Sequence, residues 1–194
     1  AVLLLDECDL GTEDILCLQP ILEGKPYFDK KTGEVVHPAA GFNVIATANT
    51  KGKGSEDGRF IGTRHQNEAA LDRYSITLEQ DYASPATERK ILVRAMASLG
   101  IDDVVFADKL TQWADTVRKS FAAGAADEVI STRRLVDICK AYAIFGDRMK
   151  AINLCVSRFD EKTKGDFLNL YGKIDEQVTA EAQRSGETEV VRGG

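Results

Sequence analysis

No C-x-x-C pair occurs among the four cysteines (Cys8, Cys17, Cys139, Cys155), and the two histidines, His37 and His65, stand far apart. The spacing of a structural zinc site is therefore missing, and thiols set in apolar or helical patterns read as buried and free in a reducing cytosol. The chain also lacks an apolar run long enough to span a bilayer, and its opening run is too short for a signal peptide. A cytoplasmic protein without a membrane partner is expected. Nor is there an excess of positive charge. The balance of 25 basic and 31 acidic side chains leaves −6, so no global field gathers nucleic acid, and a nucleic-acid partner is not expected. Internal repeats are absent.

What is present suits a globular protein. Apolar residues make up 43% and charged residues 29% of 194 positions, enough to bury a core in one or two small domains. The first residue is not Met and stands inside a strand pattern, which predicts a chain cut from something longer.

That pattern is Ala1-Val2-Leu3-Leu4-Leu5-Asp6-Glu7, five apolar residues followed by two carboxylates. A short uninterrupted apolar run predicts a strand buried on both faces of a parallel sheet. Ligands of such sheets sit beyond the carboxyl ends of the strands, where Asp6 and Glu7 emerge. Adjacent acids there can divide labour, one holding a hydrated Mg²⁺ and one orienting or deprotonating a water. On these seven residues alone, a buried strand ending in a solvated acidic turn is the simpler account.

Cys8 to Gly11 reads as a loop, and Thr12 as the N-cap of a helix that carries Ile15, Leu18 and Leu22 on one face and stops at Gly24. Pro26-Tyr27-Phe28 and Glu34-Val35-Val36 flank a polar turn ending in Gly33, the signature of a hairpin. Phe42 to Thr47 is a second strand. The intervening crossover is long enough for parallel pairing, which places Asn49 at the same sheet edge as Asp6 and Glu7. Lys51 to Arg59 is a loop rich in Gly and charge, but G-x-x-x-x-G-K-[ST] occurs neither there nor elsewhere. Gln66 to Tyr74 predicts a short helix ending near Arg73, whose fork suits either a neighbouring carboxylate or a phosphate, and Ser75 to Glu79 a third strand.

From Ser84 the pattern is helical. Ser84-Pro85 starts a helix with Ile91, Leu92, Ala95, Met96 and Leu99 inward and Gly100 at its end. Asp102-Asp103 opens a second, with Leu110, Trp113, Val117 and Phe121 on one face. Ser131-Thr132 caps a third, with Leu135, Ile138, Cys139, Tyr142 and Ile144 behind. Arg133 and Arg134 sit in its first turn against the helix dipole, where a nearby anion or simple exposure accounts for them. Two further helices fall within residues 148–158 and 164–174, and from Glu176 a polar tail is expected to be loose.

In order and spacing these pieces resemble a MoxR-type AAA+ ATPase. Leu3-Leu4-Leu5-Asp6-Glu7 looks like a Walker B strand, and Ile45 to Thr50 like a sensor-1 strand end. Glu68-Ala69-Ala70-Leu71-Asp72-Arg73-Tyr74 is similar to an arginine-finger segment, and Ser131-Thr132-Arg133 to the sensor-2 opening of a lid helix. Within that clade the chain looks like the ATPase subunit of aerobic cobaltochelatase, through the Glu23-Gly24-Lys25 hairpin entry, Ala46-Thr47-Ala48-Asn49-Thr50 and a Gly-x-Gly loop.

The resemblance implies an α/β fold: the C-terminal part of a P-loop AAA+ parallel-sheet domain over 1–82, an all-α helical lid over 83–175, and a disordered polar tail over 176–194. It implies ATP and Mg²⁺ as cofactors. Asp6 then holds the metal through water, Glu7 polarises the attacking water, Asn49 positions it near the γ-phosphate, and Arg133 contacts that phosphate from the lid. Arg73 reaches into the neighbouring subunit's nucleotide, which requires a homo-oligomeric ring, a hexamer in this family. Such a finger is worth about 10³–10⁵ in rate, or about 4–7 kcal/mol of barrier. The hairpin faces a central pore or a partner, and a von Willebrand A-type or chelatase protein is the partner such motors drive. The missing Walker A loop reads as truncation, so the 194-residue piece alone is expected to bind ATP poorly and hydrolyse it hardly at all. A non-catalytic AAA-like assembly or regulatory module is the alternative. A nucleic-acid motor using Lys51 and Lys53 is disfavoured by the acidity.

Overall fold

The structure is a computed structural model that describes residues 1–10, 18–50, 71–176 and 178. The chain divides into two compact units, Ala1–Glu79 and Gln80–Gly194.

In the first unit the described elements are β1 (Val2–Leu5), a 3₁₀ turn (Cys8–Leu10), the single-turn helix α1 (Gln19–Leu22), β2 (Tyr27–Asp29), β3 (Glu34–Val36) and β4 (Asn43–Ala46). Strands β1 and β4 pair in parallel, Val2 opposite Asn43 and Leu5 opposite Ala46. Strands β2 and β3 pair antiparallel, Tyr27 opposite Val36. Their turn closes as its sequence predicts. The Asp29 carboxylate accepts from the Lys31 amide at 2.9 Å, and Gly33, at φ +75°, donates to the Asp29 carbonyl at 2.8 Å.

Three expectations need correction here. Strand β1 is not buried on both faces: Val2 and Leu4 are 61% and 60% exposed, and Ile45, opposite Leu4, is 55% exposed. Successive side chains point to opposite faces. Burial on both faces needs a layer on each, and the face carrying Val2, Leu4 and Ile45 is open. Ser75 to Glu79 is not a strand, and Ile76 and Leu78 are exposed. Alternation alone does not make a strand without a pairing partner, and this stretch joins neither of the two described sheets. The loop at Cys8 is instead an ordered 3₁₀ turn, with Cys8 and Asp9 buried.

The residues from Gly11 to Cys17, with Thr12 and Ile15, and those from Lys51 to Ala70, with the loop at Lys51 and Lys53, lie outside the described residues. Of the expected helix ahead of Arg73, the described part begins at Leu71, whose carbonyl accepts from the Tyr74 amide at 2.9 Å.

The second unit is helical: α2 (Pro85–Ser98), α3 (Val104–Ala122), α4 (Thr132–Phe145), α5 (Arg148–Val156) and α6 (Glu161–Ile174). Each begins at a side-chain cap. Ser84, Asp103, Ser131, Asp147 and Asp160 accept from the amides of Thr87, Phe106, Arg134, Lys150 and Thr163 respectively. Every such cap satisfies amides that the helix itself leaves without partners. The core gathers Leu92, Trp113, Leu135, Ile152 and Tyr171, with the Tyr171 ring edge-on to Trp113 at 5.7 Å.

Helix α2 buries Leu92 and Met96 as expected, but its inward stripe is narrower than expected and includes Glu88. Its buried residues are Glu88, Leu92 and Met96, at i, i+4 and i+8, while Ile91 and Leu99 are exposed. Ile144 is likewise exposed on α4. Val178 lies in the helical core, so packing continues past Glu176; the rest of the tail lies outside the described residues. Cys8 and Cys139 are buried, Cys155 is half-buried, none of the three is in a disulfide, and Cys17 is not among the described residues. Among the described residues no helix is long and apolar enough to cross a membrane.

Candidate functional site at the ends of two parallel strands

The carboxyl ends of β1 and β4 are joined by more than their ladder. The Thr47 amide donates to the Leu5 carbonyl at 2.9 Å, and the Cys8 amide to the Thr47 carbonyl at 2.8 Å, carrying the pairing past the last strand residues. The Thr47 hydroxyl donates to Asp6 Oδ1 at 2.5 Å and accepts from the Glu7 amide at 2.9 Å. Both acids are exposed. Glu7 sits at φ +51°, in the left-handed region that side chains other than glycine rarely enter. Such a conformation costs of order 1–3 kcal/mol and persists only where its surroundings fix it; the Thr47 bond and the turn after Glu7, with the Leu10 amide donating to the Glu7 carbonyl at 2.9 Å, do so here.

Two residues on, Asp9 is 1% exposed. Its Oδ2 accepts from the Asn49 amide at 2.9 Å, the Thr50 amide at 2.8 Å and the Thr50 hydroxyl at 3.0 Å. Asn49 itself is exposed. Asp6, Glu7 and Asn49 are thus brought to one end of the two-stranded sheet, with two carboxylates and an amide available at its surface.

Arg73 belongs to the same unit, but its guanidinium is engaged there: Nε lies 2.7 Å from Glu23 Oε1. Lys25 first, and Arg73 second, hold the Glu23 carboxyl below its ordinary range, so this contact is between charged groups at neutral pH.

In the helical unit the two arginines at the start of α4 have different fates. Arg134 donates to the Cys155 carbonyl at 2.8 Å, and its guanidinium lies 5.8 Å from the Phe159 ring centre. Arg133 is exposed and makes no hydrogen bond or ion pair among the described residues. The N-terminus that carries it is pinned by a buried cluster. Glu88, 1% exposed, accepts two bonds from Arg118 at 3.0 and 2.8 Å and one from the Thr132 hydroxyl at 2.6 Å. Arg118 also donates to the Ile130 carbonyl and lies 4.0 Å from the Tyr82 ring centre. The burial of Glu88 is compensated by this complete set of partners.

Reading the sequence singled out neither Asp9, Thr47 nor the Glu88–Arg118 pair. The i, i+4, i+8 spacing of Glu88 with Leu92 and Met96 was a usable signal for the last. Nothing local marks Asp9, whose partners lie 40 and 41 residues away.

No protein-family model matches the chain. Among curated proteins it is 30% identical to the aerobic cobaltochelatase subunit CobS of a Sinorhizobium species, over 161 residues that make up 79% of this chain and 48% of that protein. It is 28% identical to an uncharacterized protein of Staphylococcus saprophyticus, over 71% of this chain and 49% of that one. An uncharacterized protein of Staphylococcus haemolyticus is 27% identical over the same shares. The chain is a distant relative of a cobaltochelatase subunit, and it spans about half the length of the curated relatives it matches.

Proposed function

We propose that the chain is the part of a MoxR-type AAA+ ATPase that holds the catalytic acids and the helical lid, in a motor that hydrolyses ATP to drive a partner protein, with metal chelation as the task. The observation that carries this reading is the gathering of Asp6, Glu7 and the Asn49 loop at the carboxyl end of β1 and β4. The likeness to a cobaltochelatase subunit supports it and suggests the chelatase partner.

The donors suit the cofactor. Mg²⁺ takes hard oxygen ligands and is held by one or two carboxylates together with substrate phosphates and water, not by an all-protein cage. Asp6 offers one exposed carboxylate, and among the described residues no three metal-ligating groups converge. Bound Mg²⁺ supplies charge neutralisation at the phosphates. In this reading Asp6 binds the hydrated metal, with one oxygen fixed by Thr47. Glu7 accepts a hydrogen bond from the attacking water and polarises it. Asn49 orients that water through its amide, adding no charge. Arg133, whose fork has no competing partner among the described residues, takes the γ-phosphate from the lid. Arg73 acts on the neighbouring protomer's nucleotide in a ring, a hexamer by the resemblance, and must leave Glu23 to do so. Residues 1–82 are then nucleotide-domain, 83–175 lid and 176–194 tail.

The 194 residues contain no G-x-x-x-x-G-K-[ST] loop, so the hydrolysis proposed is that of an assembly that supplies one. A second reading, a non-catalytic assembly module, draws on that and on the Arg73–Glu23 contact. Phosphate release by the full-length protein, with and without Mg²⁺ and with Glu7→Gln, separates the two. Magnesium-dependent turnover lost in Glu7→Gln is expected; turnover unchanged by that substitution ends the ATPase reading.

A further inference from the structure

We infer that Asp9 is a positioning residue that sets the Asn49 side chain against the acidic turn, an inference that rests on the ATPase reading. A carboxylate that is 1% exposed is costly to bury, and among the described residues no cation accompanies this one. Its compensation comes from donors of the opposite strand's loop. One oxygen, Oδ2, accepts from the amides of both Asn49 and Thr50. Those two N–H groups flank the Asn49 Cα, so holding both fixes the backbone of Asn49 at each end and with it the direction of its Cβ. The Thr50 hydroxyl adds a third bond to the same oxygen.

The other side of the link is equally short. Asp9 lies in the 3₁₀ turn in which the Leu10 amide donates to the Glu7 carbonyl. Beside the exposed Thr47 contact, Glu7 and Asn49 are therefore connected through one buried side chain. The second oxygen, Oδ1, is buried and accepts no bond among the described residues, so the grip on the loop is Oδ2 alone. A displacement of about 1 Å at a positioned group can cost about 10²-fold in rate. The sequence between Glu7 and Asn49 includes a hairpin and a helical turn, and the parallel ladder ends before Asn49; the Asp9 bonds reach the loop that the ladder does not.

The test uses the full-length protein with Asp9→Ala, Asp9→Asn, Asn49→Ala, the double variant Asp9→Ala/Asn49→Ala, and Thr50→Val. Hydrogen exchange, read without nucleotide, is expected to speed at the Asn49 and Thr50 amides in Asp9→Ala. The Thr47 amide, bonded to the Leu5 carbonyl, should stay slow. Asp9→Asn, which keeps an acceptor oxygen, should restore much of the protection. For ATP turnover, Asp9→Ala is expected to lower kcat about 10- to 100-fold with little change in KM. In the Asn49→Ala background the same substitution should cost no more than about twofold, because residues acting as one unit are not additive. Thr50→Val, which leaves the carboxylate and both amides in place, should show a smaller fall of the same kind if Asp9→Ala proves unstable.

Unchanged exchange at Asn49 and Thr50 overturns the inference, and so do losses that multiply in the double variant. Glu7→Gln distinguishes the two levels. Turnover abolished there, beside Asp9 variants that behave like wild type, sinks the positioning role and leaves the ATPase reading standing. Turnover untouched by Glu7→Gln sinks the ATPase reading, and with it the purpose assigned to Asp9.

Discussion

The Thr47 hydroxyl donates to Asp6 Oδ1 at 2.5 Å and accepts from the Glu7 amide at 2.9 Å, so one side chain of the β4 end grips both acids at the end of β1. The grip is exposed to solvent, and water replaces most of its energy when it is removed. Thr47→Val is therefore expected to cost at most about 0.5–1.5 kcal/mol of stability. Under the ATPase reading it lowers turnover about tenfold, the scale of a modest misalignment of the acids. Thr47→Ser keeps the hydroxyl and should restore most of that activity. Steady-state kinetics on the pair decide it: a serine variant no better than valine would remove the hydroxyl from the account.

Glu88 and Arg118 form a buried pair of a different kind. Removing one partner strands the other, at a cost of about 3–5 kcal/mol, whereas replacing both with apolar groups is far cheaper. Glu88 is 1% exposed, and its two bonds from Arg118 come with a third from Thr132. Glu88→Ala should destabilise the helical unit severely, and the double variant Glu88→Leu/Arg118→Met much less than the sum of its parts. The sole tryptophan, Trp113, is fully buried in that unit, so its fluorescence during urea unfolding reports the unit directly. Additive losses in the double variant would refute the pairing.

How the sequence announced these features depended on whether the signal was local. The caps at Ser84, Asp103 and Ser131 and the hairpin turn at Gly33 were legible, because each needs one residue type at one place in a short stretch. Parallel pairing of β1 with β4 followed from the length of the crossover. The faces of α2 and α4 were harder. Ile91, Leu99 and Ile144 are as apolar as Leu92 and Leu135, and only the neighbouring helices decide which of them is covered. Glu88 was passed over because a charged residue reads as surface until its partner, 30 residues away, is in place. Asp9 and Thr47 were invisible for the same reason: their meaning lies across strands, not along them.

Acid should act on the helical unit through Asp103. Burial pushes its carboxyl up, but the Arg148 guanidinium, the Phe106 amide and the Tyr142 hydroxyl together outweigh burial and leave it below its ordinary value of 3.8. Arg148 also bridges to the buried Asp175 at 3.0 Å. A carboxyl lowered in the folded state stabilises the fold fully above its unfolded value and loses that contribution as pH falls through its folded one. Asp103→Asn is thus expected to be less stable than wild type from neutral pH down to about pH 4, with the difference shrinking below pH 3.8. Urea midpoints followed by Trp113 fluorescence at neutral and acid pH check this; a gap that widens as the pH drops would reverse the sign of the linkage.

Arg133 and Arg134 are neighbours of the same chemistry in different surroundings, and that difference separates activity from stability. Arg134 gives a hydrogen bond to the Cys155 carbonyl and stacks toward Phe159, joining the start of α4 to the end of α5. Arg134→Ala is expected to cost about 1.5–3 kcal/mol, the range for a charged donor lost from a partly buried carbonyl. Arg133 has no such partner among the described residues, and a surface arginine replaced by alanine usually moves stability by no more than about 0.5 kcal/mol. If Arg133 takes the γ-phosphate, Arg133→Ala should nonetheless depress ATP turnover by an order of magnitude or more, on the scale of other oriented phosphate contacts. Arg133→Lys should recover only part of it, because a point charge does not reproduce the planar fork. Thermal melts and turnover measured on the same preparations give both axes at once. Normal turnover in Arg133→Ala together with lost turnover in a fully stable Arg134→Ala would hand the sensor role to the second arginine, and its bond to Cys155 would then have to open on nucleotide binding.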